Sequence, residues 1–113
     1  MESILEILKG YGIETVRDGY ITLPKSHCFA TWRIGHRQAK GADNYNMYWE
    51  FPVELRICYR DDKTENDWTQ EKLIESNMQD LENLESDYVY DNQDKLEITV
   101  YTFTVRENFE TEE

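Results

Sequence analysis

The sequence predicts an α+β fold: an antiparallel or mixed sheet of about four strands, with a long hairpin, and two helices packed on one face. Three observations predict it. Over residues 45–60 every odd position is apolar (Tyr45, Met47, Trp49, Phe51, Val53, Leu55, Ile57, Tyr59) and most even positions are polar, the signature of a long strand with one buried and one wet face. Residues 3–11 and 67–85 instead place their apolar groups at helical spacing. Residues 96–105 are β-branched and apolar on both parities, with Leu96, Ile98 and Val100 opposite Tyr101, Phe103 and Val105. Such a segment reads as a central strand, or as one covered by a neighbouring subunit.

Taken in order, the first helix spans residues 3–11. Ser3 and Glu6 form an S-x-x-E capping box. Ile4, Leu5, Leu8 and Tyr11 face the core, and Gly10 and Gly12 provide left-handed stops. A connector follows, with a short strand at residues 20–23. Residues 28–34 alternate, with Cys28, Ala30, Trp32 and Ile34 on one side. The segment GHRQAKGADN has the residues of a loop and joins this strand to the long one as a hairpin. Pro52 interrupts the long strand. It cannot donate to a ladder, so it marks an edge position or a bulge. Sixteen extended residues would span about 50 Å, so the hairpin bends at Pro52 or projects. The second helix runs over residues 67–85 with Asp67 as N-cap. Its stripe is Ile74, Met78, Leu81 and Leu84 or Glu85, with Leu73 beside it, and its opposite face is acidic. Residues 88–90 form a short strand. The layout is helix, hairpin, helix, strand, with residues 1–106 as one domain and 107–113 as a flexible acidic tail.

The chain has 113 residues, 24 acidic and 12 basic groups, and a net charge of −12. Its charge is uneven: residues 25–60 carry +3, whereas residues 61–113 carry −13. The overall sign argues against direct binding to nucleic acid, which requires phosphate-neutralising Lys and Arg, and against anionic membrane surfaces. No stretch approaches the ~20 apolar residues of a membrane span. The start, MESILEILKG, lacks a basic segment and a signal-cleavage site. These features point to the cytoplasm, with any exit by lysis. Two cysteines, Cys28 and Cys58, are too few for a disulfide framework.

The residues carry no catalytic signature, and we expect no enzyme, no cofactor and no metal. His27, His36, Cys28 and Cys58 match no zinc spacing. No phosphate-cradling glycine loop and no nucleophile elbow is present. The carboxylates Glu71 and Glu75 are expected on the solvated side of the second helix. The basic residues Arg33, Arg37 and Lys40 suit an acidic protein surface. Tyr48 is an aromatic on the polar face of the long strand; it is either an ordinary half-exposed tyrosine or a subunit contact.

Three stretches, SILEILKGYGIE, ADNYNMYWEFPVELRICYRD and LEITVYTFTV, taken in this order, resemble small tail-completion or tail-terminator proteins of long-tailed phages and prophages. The resemblance covers most of residues 1–106 and lies in layout rather than in a chemical motif. Two segments depart from it: residues 87–95, rich in Asp and Tyr, and Pro52 within the main strand. The resemblance implies a ring, commonly of six subunits, at the junction of tail and head. Its partners would be further copies of itself, the tail tube and the head connector. The protein would reside in the host cytoplasm during assembly and in the virion tail afterwards. A ring needs heterologous contacts, one patch against a different patch. The expected contacts are Arg33, Arg37, Lys40, Tyr48 and Arg56, answered by Glu71, Glu75 and Glu82. A different reading of the same charge is an acidic DNA mimic that inhibits a host nuclease or another host protein. A mimic would space its carboxylates like phosphates over one whole face, whereas this chain keeps a basic hairpin.

Overall fold

A computed structural model describes residues 2–17, 24–41 and 47–108. Its elements, in chain order, are α1 (Glu2–Gly10), β1 (Glu14–Arg17), β2 (Cys28–Ile34), β3 (Gln38–Lys40), β4 (Tyr48–Arg60), α2 (Glu65–Ser76), β5 (Glu82–Asp91) and β6 (Leu96–Asn108). One mixed sheet runs in the order β1-β2-β4-β6-β5, and β3 pairs with β4 beyond the end of β2. Only the β1–β2 pair is parallel. The α+β class stands, but the sheet has six strands among the described residues rather than about four. The extra strands are β1, within the expected connector, and β3, within the expected loop. Both are four residues or shorter, too short for an alternation pattern to register. The strand expected at residues 20–23, the entry at 42–44 and the tail end at 109–113 lie outside the described residues.

Helix α1 begins one residue before Ser3, so Ser3 is a helical residue and not the cap. Of the two expected left-handed stops only Gly12 is one; Gly10 is the last residue of the helix and Tyr11 lies in the turn beyond it. Gly12 has φ +77°, its N–H reaches Lys9 O at 2.9 Å, and the Ile13 N–H reaches Leu8 O at 3.0 Å. This is a Schellman stop, which needs a left-handed residue at Gly12 and pairs apolar groups across the turn, here Leu8 and Ile13. Both are buried in the main core.

That core lies between one sheet face and the helices. Phe51, Val53, Leu55, Ile57 and Tyr59 of β4 meet Tyr101 and Phe103 of β6, with Ile4 and Leu8 from α1 and Ile74 from α2. The odd positions from Phe51 to Tyr59 thus form the buried face that the alternation predicts, and of the even positions only Cys58 is buried. A smaller cluster, Phe29, Cys58, Leu96 and Ile98, occupies one end of the opposite face. There the Arg60 guanidinium lies 5.3 Å from the Phe29 ring and donates to Ser26 O at 3.2 Å and to Pro24 O.

Strand β4 is central, flanked by β2 and β6, which corrects the edge position inferred from Pro52. The Pro52 carbonyl accepts the Gly35 N–H at 2.8 Å on the β2 side. A strand residue's N–H and C=O point the same way, so the missing Pro52 donor faces the gap between β2, which ends at Ile34↔Val53, and β3, which begins at Gln38↔Glu50. No ladder bond is lost on the β6 side, where Pro52 sits opposite Thr104. The proline therefore marks a local break in the neighbouring strand.

Helix α2 is shorter than expected, and residues 82–85 belong to a strand instead. Ser76 Oγ and Asn77 Nδ2 both donate to Leu73 O, at 2.6 and 3.0 Å, using local side chains to satisfy a terminal carbonyl. Asn83 then takes φ +55° at an irregularity between Glu82 and Glu85. The outer side of the long β6 needs a partner, and that pairing overrides the helical spacing of Leu81 and Leu84. Residues 88–90, expected as a short strand, are part of β5.

Gly35 packs so closely on Pro52 that an added Cβ would lie 2.6 Å from its ring Cγ. Gly35→Ala should destabilise the fold by about 1–3 kcal/mol, as overpacking does. In urea denaturation, a double variant that also carries Pro52→Ala should lose less than the sum of the two single changes.

Candidate functional site

Two features stand out: a buried charged cluster at the start of α2, and the surface made by α2 and β5 above it. The cluster begins with a capping box. Thr64 is the N-cap: its Oγ1 accepts the Asp67 N–H at 3.1 Å, and Asp67 Oδ2 accepts the Thr64 N–H at 2.8 Å. Asp67 is therefore the third helical residue, not the cap. The same carboxylate oxygen accepts from His27 Nε2 at 2.8 Å, linking α2 to the start of β2. Burial opposes the charge on Asp67, but the hydrogen bonds from His27 and Thr64 outweigh it and hold the carboxyl below its ordinary value.

Next to the cap, the Lys63 ammonium is 1% exposed and ion-paired to Glu71. It donates to Thr99 Oγ1 at 2.9 Å. Three rings surround it, with centroids 4.0 Å (Trp68), 4.6 Å (Tyr59) and 5.4 Å (Tyr88) away. The Trp68 and Tyr88 rings lie nearly parallel, 6.4 Å apart. This cage around a cation is filled by the protein's own lysine.

Glu71 completes the cluster. Its Oε2 accepts from Tyr59 OH at 2.8 Å, and its Oε1 lies 3.0 Å from Tyr101 OH, which is also 2.7 Å from Glu75 Oε2. Burial disfavours the ionised Glu71, yet hydrogen bonds from Lys63, Tyr59 and Thr99 bring its carboxyl below the ordinary value. Burial first, and the neighbouring carboxylates second, push both tyrosine hydroxyls well above theirs. An acid–base pair needs values near the working pH; here the carboxylate moves down and the phenols move up. The arrangement holds charge in place, and it works as a clamp joining α2 to β4 and β6.

This corrects the expectation that Glu71 lies on the solvated face. Positions 67, 71, 74 and 78 form one helical stripe, and all four are buried. That stripe was the signal in the sequence: two carboxylates continue the line of Ile74 and Met78 toward the core. Lys63, in what reads as a polar turn, carried no such signal.

The other expected contact residues are scattered. Arg33 and Arg56 lie on the sheet face away from the helices and share Glu54, at 2.9 and 3.3 Å. Arg37 stacks 4.3 Å above Trp49, and Lys40 is exposed on β3. Tyr48 lies 5.3 Å beneath the Arg106 guanidinium, which pairs with Glu50 at 3.3 Å and Glu82 at 3.1 Å. Glu75 is exposed on α2 beside Tyr101. Arg33 and Arg56 come together, as do Tyr48 and Glu82 through Arg106, whereas Glu71 is withdrawn from the surface. Cys28 and Cys58 occupy opposite sheet faces, since Cys58 is in register with Phe29. Both are free, and burial lifts each thiol to about 12, so neither is a nucleophile at neutral pH.

Above the clamp, Trp68, Glu75, Asp87 and Tyr88 help to line a cleft of about 410 Å³ between α2 and β5. Trp68 and Tyr88 in its lining are exposed, as are Leu73 on α2 and Leu84 and Tyr90 on β5, while Val89 is exposed on the opposite sheet face in register with Ile98. Among the described residues no group of three or more His, Cys, Asp or Glu is placed to hold a metal ion, and no helix is long and apolar enough to cross a membrane. The chain matches no protein-family model, and no curated protein aligns with it.

Glu71→Gln should cost about 3–5 kcal/mol, because it strands the buried Lys63 charge. Lys63→Met with Glu71→Leu, which removes both charges, should cost far less than Glu71→Gln alone. Denaturation midpoints of the three proteins check this. Asp67 and Glu71 have folded-state values below their ordinary 3.8 and 4.5, so the unfolded chain binds protons first. Their stabilisation is present above those values and drains away as pH falls through the folded ones. Urea midpoints measured from pH 7 down to pH 3 should fall in that window, and more steeply than in a protein carrying Asp67→Asn.

Proposed function

We propose that this protein is a non-enzymatic assembly component of a long-tailed phage or prophage, a tail terminator or tail-completion protein that forms a ring at the junction of tail and head. The observation that carries this reading is the surface of α2 and β5. Trp68 and Leu73 of α2 and Leu84, Tyr88 and Tyr90 of β5 are exposed there, and apolar patches of this kind mark protein–protein contacts. The buried polar cluster beneath it is internally satisfied and tuned away from acid–base chemistry, which favours assembly over catalysis. The resemblance in layout supplies the setting, and a chain whose halves differ in sign suits head-to-tail contacts between copies.

The contact set is revised from the one the sequence implied. Arg37, Lys40 and Tyr48 remain on the basic side. Glu75 and Glu82 remain on the acidic side, while Glu71 is omitted because its carboxylate is buried and used. The inhibitor reading requires an uninterrupted acidic face. The helix-free face of the sheet instead interleaves Arg33, Arg56 and Arg106 with Glu50, Glu54 and Glu82, which supports assembly over mimicry.

The test is electron microscopy of lysates from a phage lacking this gene. The expected result is full heads beside unjoined tails of irregular or excessive length. Normal tails beside unjoined heads would move the protein to the head side of the joint, and intact infectious particles would overturn the reading. Complementation with Arg37→Glu/Lys40→Glu should yield fewer joined particles than complementation with the unaltered gene.

A further inference from the structure

Strand β5 is the border of the sheet, paired with β6 alone among the described residues. It is ten residues long, and all but its last are exposed. Alternate residues of such a border direct backbone N–H and C=O groups outward, ready to pair with another strand. Protected edges carry lysines, prolines or a covering element. This one has a single irregularity near its start, no lysine and no proline, and it exposes Leu84, Tyr88, Val89 and Tyr90. We propose that β5 is the docking edge for a second copy of this chain, whose strand β3, on the opposite side of the sheet and one row inside β1, lies along it and continues the sheet from subunit to subunit.

The charges select this occupant. Strand β5 carries Glu82, Glu85, Asp87 and Asp91 and no basic residue. Two β5 strands paired with each other would set carboxylates against carboxylates, and like charges across a ladder are destabilising. A symmetric dimer through this edge is therefore disfavoured. Strand β3 carries the opposite sign: Lys40 ends it and Arg37 lies just before it, both exposed, whereas β1 holds Glu14 and Arg17 and has no net charge. Among the described residues β3 pairs only with β4, and β1 only with β2. Strands β5 and β3 lie on opposite sides of one sheet, so joining them is a head-to-tail contact that repeats around a ring or along a stack. Main-chain pairing would supply affinity, and Leu84, Tyr88 and Tyr90 would supply apolar contact.

The inference rests on the assembly reading above and deepens it by naming the joining edges. Its test is a charge exchange read by native mass spectrometry and light scattering on the full chain, with circular dichroism to confirm the fold. The wild type should form multimers. Glu85→Lys/Asp87→Lys and Arg37→Glu/Lys40→Glu should each raise the concentration needed for assembly at least about tenfold. Mixing the two variants should restore assembly, since each then meets its opposite sign, and a chain carrying all four changes should assemble alone. If the lysine pair fails to fold, Glu85→Gln/Asp87→Asn replaces it, with weakened assembly expected again. A wild type that stays monomeric at every concentration reached would overturn the inference, while the lysate micrographs would still decide the virion role. Multimers indifferent to both exchanges, or variants that dissociate and do not recover on mixing, would overturn this edge assignment and leave self-assembly standing.

Discussion

The structure depends on one buried ion pair, Lys63 with Glu71. It ties the entry of α2 to the ends of three strands: β4 through Tyr59, β6 through Thr99 and Tyr101, and β5 through Tyr88. Taking two charges out of water carries a penalty that Coulomb attraction alone does not cover. Here hydroxyl donors and ring faces supply the remainder, and every buried side-chain polar atom among the described residues has a partner. The consequence is specificity of placement. Rotating α2 or shifting β6 by one residue would strand a charge, so the helix has one seat on the sheet. The ion pairs on the helix-free face are exposed, and such pairs contribute only about 0–1 kcal/mol each.

That fixed seat shapes the surface above it. With Lys63 inside the cage, Trp68 and Tyr88 are held nearly parallel and remain 47% exposed each. Their inner sides bind the lysine and their outer parts belong to the α2–β5 surface. The interior clamp and the proposed contact surface therefore share residues. A change in Lys63 or Glu71 would alter the surface as well as the stability of the fold, which makes Glu85, away from the clamp, the cleaner probe of association.

Much of the fold was legible in residues whose signal is local. The alternation through Phe51, Val53, Leu55, Ile57 and Tyr59 identified the central strand and its buried face. Residues 28–34 were read at the bounds the structure gives. Gly12 and Ile13 marked the end of α1. The misreadings share a cause: at each, two local patterns were compatible and a distant partner chose between them. Leu81 and Leu84 fit a helix stripe, but β6 required a neighbour. Pro52 implied an edge, but the edge was only a break between β2 and β3. Asp67 read as a helix cap and Glu71 as a solvated carboxylate until the stripe they share with Ile74 was placed against the sheet.

By itself the sequence determined the α+β class, the main buried face of β4, the helix stop at Gly12 and the division of charge along the chain. These follow from side-chain period, backbone conformation and composition, all set within a few residues. Only the tertiary structure decided the strand order, the conversion of residues 82–85 from helix to strand, the edge position of β5 and the burial of Lys63 with Glu71. Each of these depends on which groups meet across long separations in sequence, where the desolvation of a charge or an unpaired strand border outweighs any local preference.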